Sequence, residues 1–204
     1  MANYKNDKVK DFENELKKVE QQRTEKDLQN YFEGLAKTLF NKIDILAGND
    51  RYSLAEIEFY YRNDIFKNEQ YEVTYPRTKH AGNLFWHLSG IDICFESDKE
   101  KGYYGGILIR SIVKEKDGSL ITGPMCCSDE LLNSCVESSK DESRVIIPIL
   151  VDKEKELDIE PMSTIRQGIK EDKKEDAQKF CFYTYRSSWR NHKEYIYAAR
   201  PDKR

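Results

Sequence analysis

Apolar residues recur along this chain at two spacings, one helical and one strand-like. Residues 3–28 are dense in Lys, Glu, Asp and Gln, and Val9, Phe12, Leu16 and Val19 form a thin stripe at helical spacing. That pattern predicts a charged surface helix that packs loosely or serves as an arm. From Leu28 to Leu46 the stripe is fuller. Phe32, Leu35, Ala36, Leu39, Phe40 and Ile43 line one face, which predicts a core-facing helix. Ala47-Gly48-Asn49-Asp50 ends it, with Gly near the C-cap. The period then changes to two. Leu54, Glu56, Glu58 and Tyr60 alternate with Ala55, Ile57, Phe59 and Tyr61. Ile57 and Phe59 make a natural core pair, so Glu58 and Tyr60 are expected on the opposite face.

Further strands follow an excursion over 62–80. Leu84–His87 and Ile91–Phe95 flank Ser89-Gly90, a hairpin signal. Gly105-Gly106 leads into the apolar run Ile107–Val113, which carries one charge, Arg110. Asp117-Gly118 marks a turn, and Gly123-Pro124 opens a helix over Met125–Val136. Val145–Val151 is broken by Pro148, so it reads as an edge strand or an extended loop. Residues 152–160 and 170–178 read as charged, solvated loops. Lys179–Tyr185 and Glu194–Ala198 close the chain as strands. Sequential strands with helices at the ends predict an α+β fold: a single domain with a curved, mostly antiparallel sheet or partial barrel flanked by helices. Residues 1–27 form its charged N-terminal helix or arm, and 28–204 form the domain proper.

Composition sharpens this picture. Charged residues make up 35% of the chain, yet aromatics reach 12%, and disordered chains are poor in aromatics. A core is therefore expected. No apolar run approaches a membrane span, and the N-terminus lacks the apolar stretch of a signal peptide. Five cysteines, two of them adjacent, do not make a disulfide framework or a zinc site. They read as reduced and mostly buried, which implies a cytoplasmic setting. The net charge of −3 provides no overall attraction to nucleic acid. The C-terminal stretch 177–204 differs: seven Lys or Arg stand against two acids, interleaved with Phe180, Phe182, Tyr183, Tyr185, Trp189, Tyr195 and Tyr197. Such a mixture suits either a nucleic-acid platform or a terminal strand pair with a solvated basic face.

Arg110 is the sharpest candidate for chemistry. Surrounded by Ile and Leu, it needs a carboxylate, a bound anion or a polarised water if buried. On an alternating strand it could equally face solvent. The two preceding glycines favour close approach by a backbone or ligand. Glu56 and Glu58 share a face with Tyr60, as a solvated face or as a general base beside an aromatic shelf. His87 is a satisfied residue or a stacking surface, and His80 is uninformative alone. No phosphate-cradling glycine loop, metal-spaced His pair or serine-nucleophile motif is present.

Taken in order, LAKTLF, AEIEFY, LFWHLSGIDICF, GGILIRSI, ITGPMCCSDELL, IRQGI and KFCFY resemble the alkyladenine (3-methyladenine) DNA glycosylase family across roughly residues 28–186. The resemblance implies a monofunctional enzyme of base-excision repair, free of metal and cofactor. It would hydrolyse the N-glycosidic bond of a modified purine flipped out of DNA. Glu58 then corresponds to the general base and Arg110 to the arginine that positions the attacking water. A carbonyl in Arg166-Gln167-Gly168 would be a third water ligand. Tyr60, His87 and Gln167 would line the base pocket. Leu88, Lys179, Arg186 and Arg190 would contact DNA. The chain departs from the family where the wedge aromatic is Ser89 and where a pocket Asn is replaced at Phe95-Glu96. Two alternatives stand beside this reading: a nucleoside or single-strand base binder or hydrolase on the same scaffold, and a non-catalytic interaction domain docked by its N-terminal helix.

Overall fold

The computed structural model describes residues 6–139, 146–167, 169 and 177–184. Helix α1 (Asp7–Leu16) runs into a 3₁₀ turn (Lys17–Gln21), and α2 spans Glu25–Lys42. A capping box starts α2: the Thr24 hydroxyl accepts from the Asp27 N–H, and the Asp27 carboxylate accepts from the Thr24 N–H. The strands are β1 (Ile43–Ala47), β2 (Asp50–Arg62), β3 (Leu84–His87), β4 (Gly90–Cys94), β5 (Tyr104–Lys114), β6 (Ser119–Thr122), β7 (Ile149–Asp152), β8 (Met162–Thr164) and β9 (Cys181–Tyr183). A short α3 (Glu69–Glu72) follows β2, and α4 (Pro124–Ser139) follows β6 with Pro at its first position.

The strands form one antiparallel sheet, ordered β3-β4-β5-β2-β1-β7, curled into a half-barrel. The β6 strand adds to β5, and β9 joins β2 to β8. The expected α+β architecture of one domain is what the chain adopts. At thirteen residues, β2 is the longest strand and the organising one. It pairs with β5 along one edge and with β1 and then β9 along the other.

The two faces of this sheet differ in kind. One carries Tyr52, Leu54, Ile57, Phe59 and Tyr61 of β2 into a continuous core with Ile107, Ile109 and Ile112 of β5. Residues of α1, α2 and α4 share that core. Phe32 of α2 stacks on Phe59 at 4.4 Å and meets Phe180 edge-on at 4.9 Å. The other face carries Glu56, Glu58 and Tyr60 of β2 beside Arg110 of β5.

Several expectations change. Ile43–Ala47 is a strand rather than the end of a helix. Ile43, Ile45 and Ala47 are buried in the core, whereas Asp44 points to the other face and bonds to Ser53. The two-residue loop Gly48-Asn49 then folds β1 back onto β2, with Gly48 at φ +60°. Alternation also breaks within β2. Leu54 faces the core, unlike Glu56, because the pairing with β5 slips between Leu54 and Glu56. The N-terminal stripe is not loose, since Val9, Phe12, Leu16 and Val19 are all buried. Within the 152–160 loop Lys153 is buried, bonded to Asp44 and to Ser53. Of the two readings for the run near Pro148, the strand is the one adopted: β7 ends the sheet order among the described residues. The predicted strand Glu194–Ala198 lies outside the described residues.

Candidate functional site

A pair of irregularities in the β2–β5 ladder builds the charged centre. Ile57 faces Ile109, but Glu56 faces Ser111, so Arg110 is left as an extra residue on β5. Such a bulge re-aims a side chain. Here it aims the Arg110 guanidinium between two carboxylates. Nη1 donates to Glu58 Oε2 at 3.2 Å, and Nε stands 3.4 Å from Glu56 Oε1 without the alignment of a hydrogen bond. Nη2 donates to Gln167 Oε1 at 2.7 Å.

Glu58 is 0% exposed. The Tyr60 hydroxyl donates to its Oε2 at 2.8 Å, and the Gln167 backbone N–H donates to Oε1 at 2.7 Å. A carboxylate has about four acceptor positions, so with three donors Oε1 keeps capacity for one more. The Tyr60 hydroxyl stays protonated: burial, and then the Glu58 charge, hold its pKa well above the ordinary value. Burial acts against the Arg110 charge, yet Glu58 and Glu56 outweigh it and raise that pKa too. Glu56 also accepts from the Ser111 hydroxyl at 3.2 Å and the Cys181 thiol at 3.6 Å. Arg166 lies with its guanidinium 4.4 Å above the Tyr60 ring and donates to the Phe59 carbonyl.

A second charged centre stands on the same face, two strands away. Glu58 is opposite Leu108, and Leu108 is opposite Asp92 of β4. Directly opposed residues project to one side of a sheet. Asp92 Oδ2 accepts from Arg77 Nη1 at 2.5 Å. Asp92 Oδ1 stands 3.1 Å from His87 Nε2 without hydrogen-bond alignment. Arg77 lies over the Phe85 ring at 4.8 Å, and Tyr75 packs on His87 at 4.4 Å.

The glycine pair before Arg110 has two separate causes. A Cβ on Gly105 would come within 2.3 Å of the Tyr60 carbonyl oxygen, a backbone atom of β2. One on Gly106 would come within 2.6 Å of Arg77 Nη1. Backbone forbids the first, and the second would have to displace the Arg77–Asp92 pair.

Of the predicted site residues, Glu58, Arg110, Tyr60 and Gln167 converge. Gln167 presents its N–H and side-chain amide to the acid–guanidinium pair. His87 belongs to the second centre. Leu88 stands at the tip of the β3–β4 hairpin, 91% exposed. Lys179 is exposed beside α2, its carbonyl held by Gln29. Arg186 and Arg190 lie outside the described residues. Sequence reasoning missed Arg77 and Asp92, and it named Arg166 for its backbone alone, not for the side chain that covers Tyr60. Asp92 had a usable signal, an acid alternating between Ile91 and Ile93 on a short strand. Glu96 sits apart, accepting from the Ala81 N–H and paired with His80.

Fold and site together define a single-domain α+β protein with two buried charged centres on one sheet face. No family model matches the chain. It is 31% identical over 135 residues to "Uncharacterized protein L759" of Acanthamoeba polyphaga mimivirus, an alignment covering 56% of this chain and 62% of that protein. The chain thus spans less than two thirds of the length of this relative. Among the described residues, no helix is long and apolar enough to cross a membrane, and no group of three His, Cys, Asp or Glu could hold a metal ion.

Proposed function

We propose that this protein hydrolyses the N-glycosidic bond of a modified purine in DNA, on a scaffold like that of the alkyladenine DNA glycosylases. The observation that carries the reading is Glu58. It is a wholly buried carboxylate held by Tyr60, Arg110 and Gln167, with one acceptor position left on Oε1. In the proposed step a water oxygen attacks the sugar C1′ as the bond to the base nitrogen breaks. The bonding pair leaves with the base, and the water proton passes to Glu58. Arg110 and Tyr60 orient the carboxylate. Its anionic charge beside the sugar favours the oxocarbenium-like transition state. General-base assistance of this kind contributes on the order of 100- to 10,000-fold.

Abasic-site formation on methylated DNA tests this reading, with duplex and single-stranded substrates run in parallel. Wild type is expected to generate abasic sites, and Glu58→Gln is expected to lose activity by at least about 100-fold. Equal inertness of both proteins on both substrates removes the reading. A second reading, hydrolysis of a free or single-stranded nucleoside, draws on Leu88-Ser89 at the hairpin tip, where the family has an aromatic wedge, and on the net charge of −3. Preference for single strands over duplex would favour it.

A further inference from the structure

Glu58 is wholly buried, and the groups around it differ in how firmly they are held. Tyr60 lies on β2 beneath the Arg166 guanidinium, and Arg166, itself buried, is tied to the Phe59 carbonyl. Opening that side would disturb strand, ring and arginine together. Gln167 is different. It stands in a turn just beyond β8, half-buried. Two bonds fasten it to the acid–guanidinium pair: its N–H to Glu58 Oε1 and its side-chain oxygen to Arg110 Nη2, each at 2.7 Å.

The two bonds differ in kind. The N–H belongs to the backbone, so it holds the acid whatever side chain stands at 167. The amide oxygen belongs to a flexible side chain that rotates between staggered positions. It takes Arg110 Nη2, while Nη1 is committed to Glu58 and Nε is turned to Glu56. Gln167 thus spans the gap from Glu58 Oε1, the oxygen with acceptor capacity left, to the guanidinium. An oxygen that is to lie beside Glu58 and be oriented by Arg110 enters where this amide lies.

We propose that Gln167 is a self-inhibitory latch: in the free protein its side chain closes the acid–guanidinium pair, and it must swing off Arg110 before water and sugar reach Glu58. This rests on the reading of Glu58 as the base that activates water. The latch lets a wholly buried carboxylate serve an outside substrate without unpairing the sheet. Swinging the amide away breaks no backbone bond, since the Gln167 N–H stays on Glu58. A hydrogen bond to a charged group favours the closed form by on the order of tenfold or more, and apparent reactivity falls with the open fraction.

Two measurements on the full chain test the latch, each comparing wild type with Gln167→Ala at matched folded fraction. The first is labelling of Arg110 by phenylglyoxal, mapped by peptide mass. The Arg110 side chain is 14% exposed in the wild type, and the variant is expected to label about tenfold faster. The second is single-turnover base release from methylated single-stranded DNA at subsaturating concentration, also expected to be faster in the variant, by up to about tenfold. Gln167→Asn, one methylene shorter, should behave likewise, and it decides if Gln167→Ala does not fold. Unchanged labelling overturns the latch. Slower release in the variant also overturns it, because that is the result for a residue that positions substrate or only braces the turn. Faster labelling with no release from any of the proteins supports the closing contact and sinks the glycosidic reading. Release from wild type with unchanged labelling does the reverse.

Discussion

The two faces of β2 are built from neighbouring residues of one strand, yet they obey different rules. Ile57, Phe59 and Tyr61 enter a core in which rings stack and cross at 4.4–5.9 Å. Such burial is favourable in itself, and any well-shaped apolar neighbour supports it. Glu56, Glu58 and Tyr60 are covered with charges instead. Taking charges out of water costs several kcal/mol per ion, and buried ion pairs often stabilise less than apolar residues of equal volume. Arg110 against Glu56 and Glu58, and Arg77 against Asp92, make buried ion pairs that stability alone would not select. The difference teaches where to look for activity: on the face whose residues make the fold harder to assemble.

Breaking the apolar face should have the largest effect on stability. Phe59→Ala removes the ring that meets Phe32 and Phe182, and a loss of about 3–5 kcal/mol is expected in urea unfolding. If the loss is below about 1 kcal/mol, the core is not centred on β2.

The glycine pair sharpens the comparison, because one residue abuts backbone and the next abuts the Arg77–Asp92 pair. Gly105→Ala drives a Cβ into the Tyr60 carbonyl, which cannot retreat without unpairing β2 from β5. Gly106→Ala meets the end of the Arg77 side chain, which can shift by breaking its hold on Asp92. Both should destabilise by about 1–3 kcal/mol or more, Gly105→Ala the more severely, as read from thermal unfolding. The reverse order would mean that the Arg77–Asp92 pair is stiffer than the ladder.

A third test separates pairing from burial. Asp92→Leu strands Arg77 and should cost more than the double change Asp92→Leu with Arg77→Met, which removes both charges. A double variant as unstable as the sum of its singles would show that the two side chains act independently.

The smallest effect lies at the rim. Lys114 beside Asp50, against the resistance of burial, holds that carboxyl below its usual range. Glu96 is also lowered: burial pushes it up, but the Ala81 N–H and His80 outweigh this. A carboxyl lowered by folding stabilises the native state above its unfolded pKa, about 4, and that contribution fades as pH falls through the folded value. Stability should therefore decline below about pH 4, and Asp50→Asn should reduce the decline by at most about 1 kcal/mol. Unfolding curves between pH 2 and 5 measure it.

Much of this was legible in the chain. Period-two alternation identified Ile57 and Phe59 as core and Glu58 and Tyr60 as the opposite face. An arginine in an apolar strand left a carboxylate, an anion, a polarised water or solvent as its partner, and the structure gives it carboxylates, Glu58 and Glu56. What remained hidden has physical causes. A short strand after a helix, Ile43–Ala47, continues an apolar stripe, and only the Gly48-Asn49 loop distinguishes the two. The bulge at Arg110 changes which residues face Glu56, and alternation alone carries no sign of a slipped register. Arg77 comes from an irregular loop, where periodicity says nothing about direction.

The central claim is that the buried acid on the charged face activates water. Single-turnover release of base from methylated single-stranded DNA, by wild type and Glu58→Gln proteins of matched folded fraction, tests it most directly. The account expects measurable release from wild type and a rate lower by about 100-fold or more in the variant. Equal rates, or no release from a fully folded wild type, would contradict it.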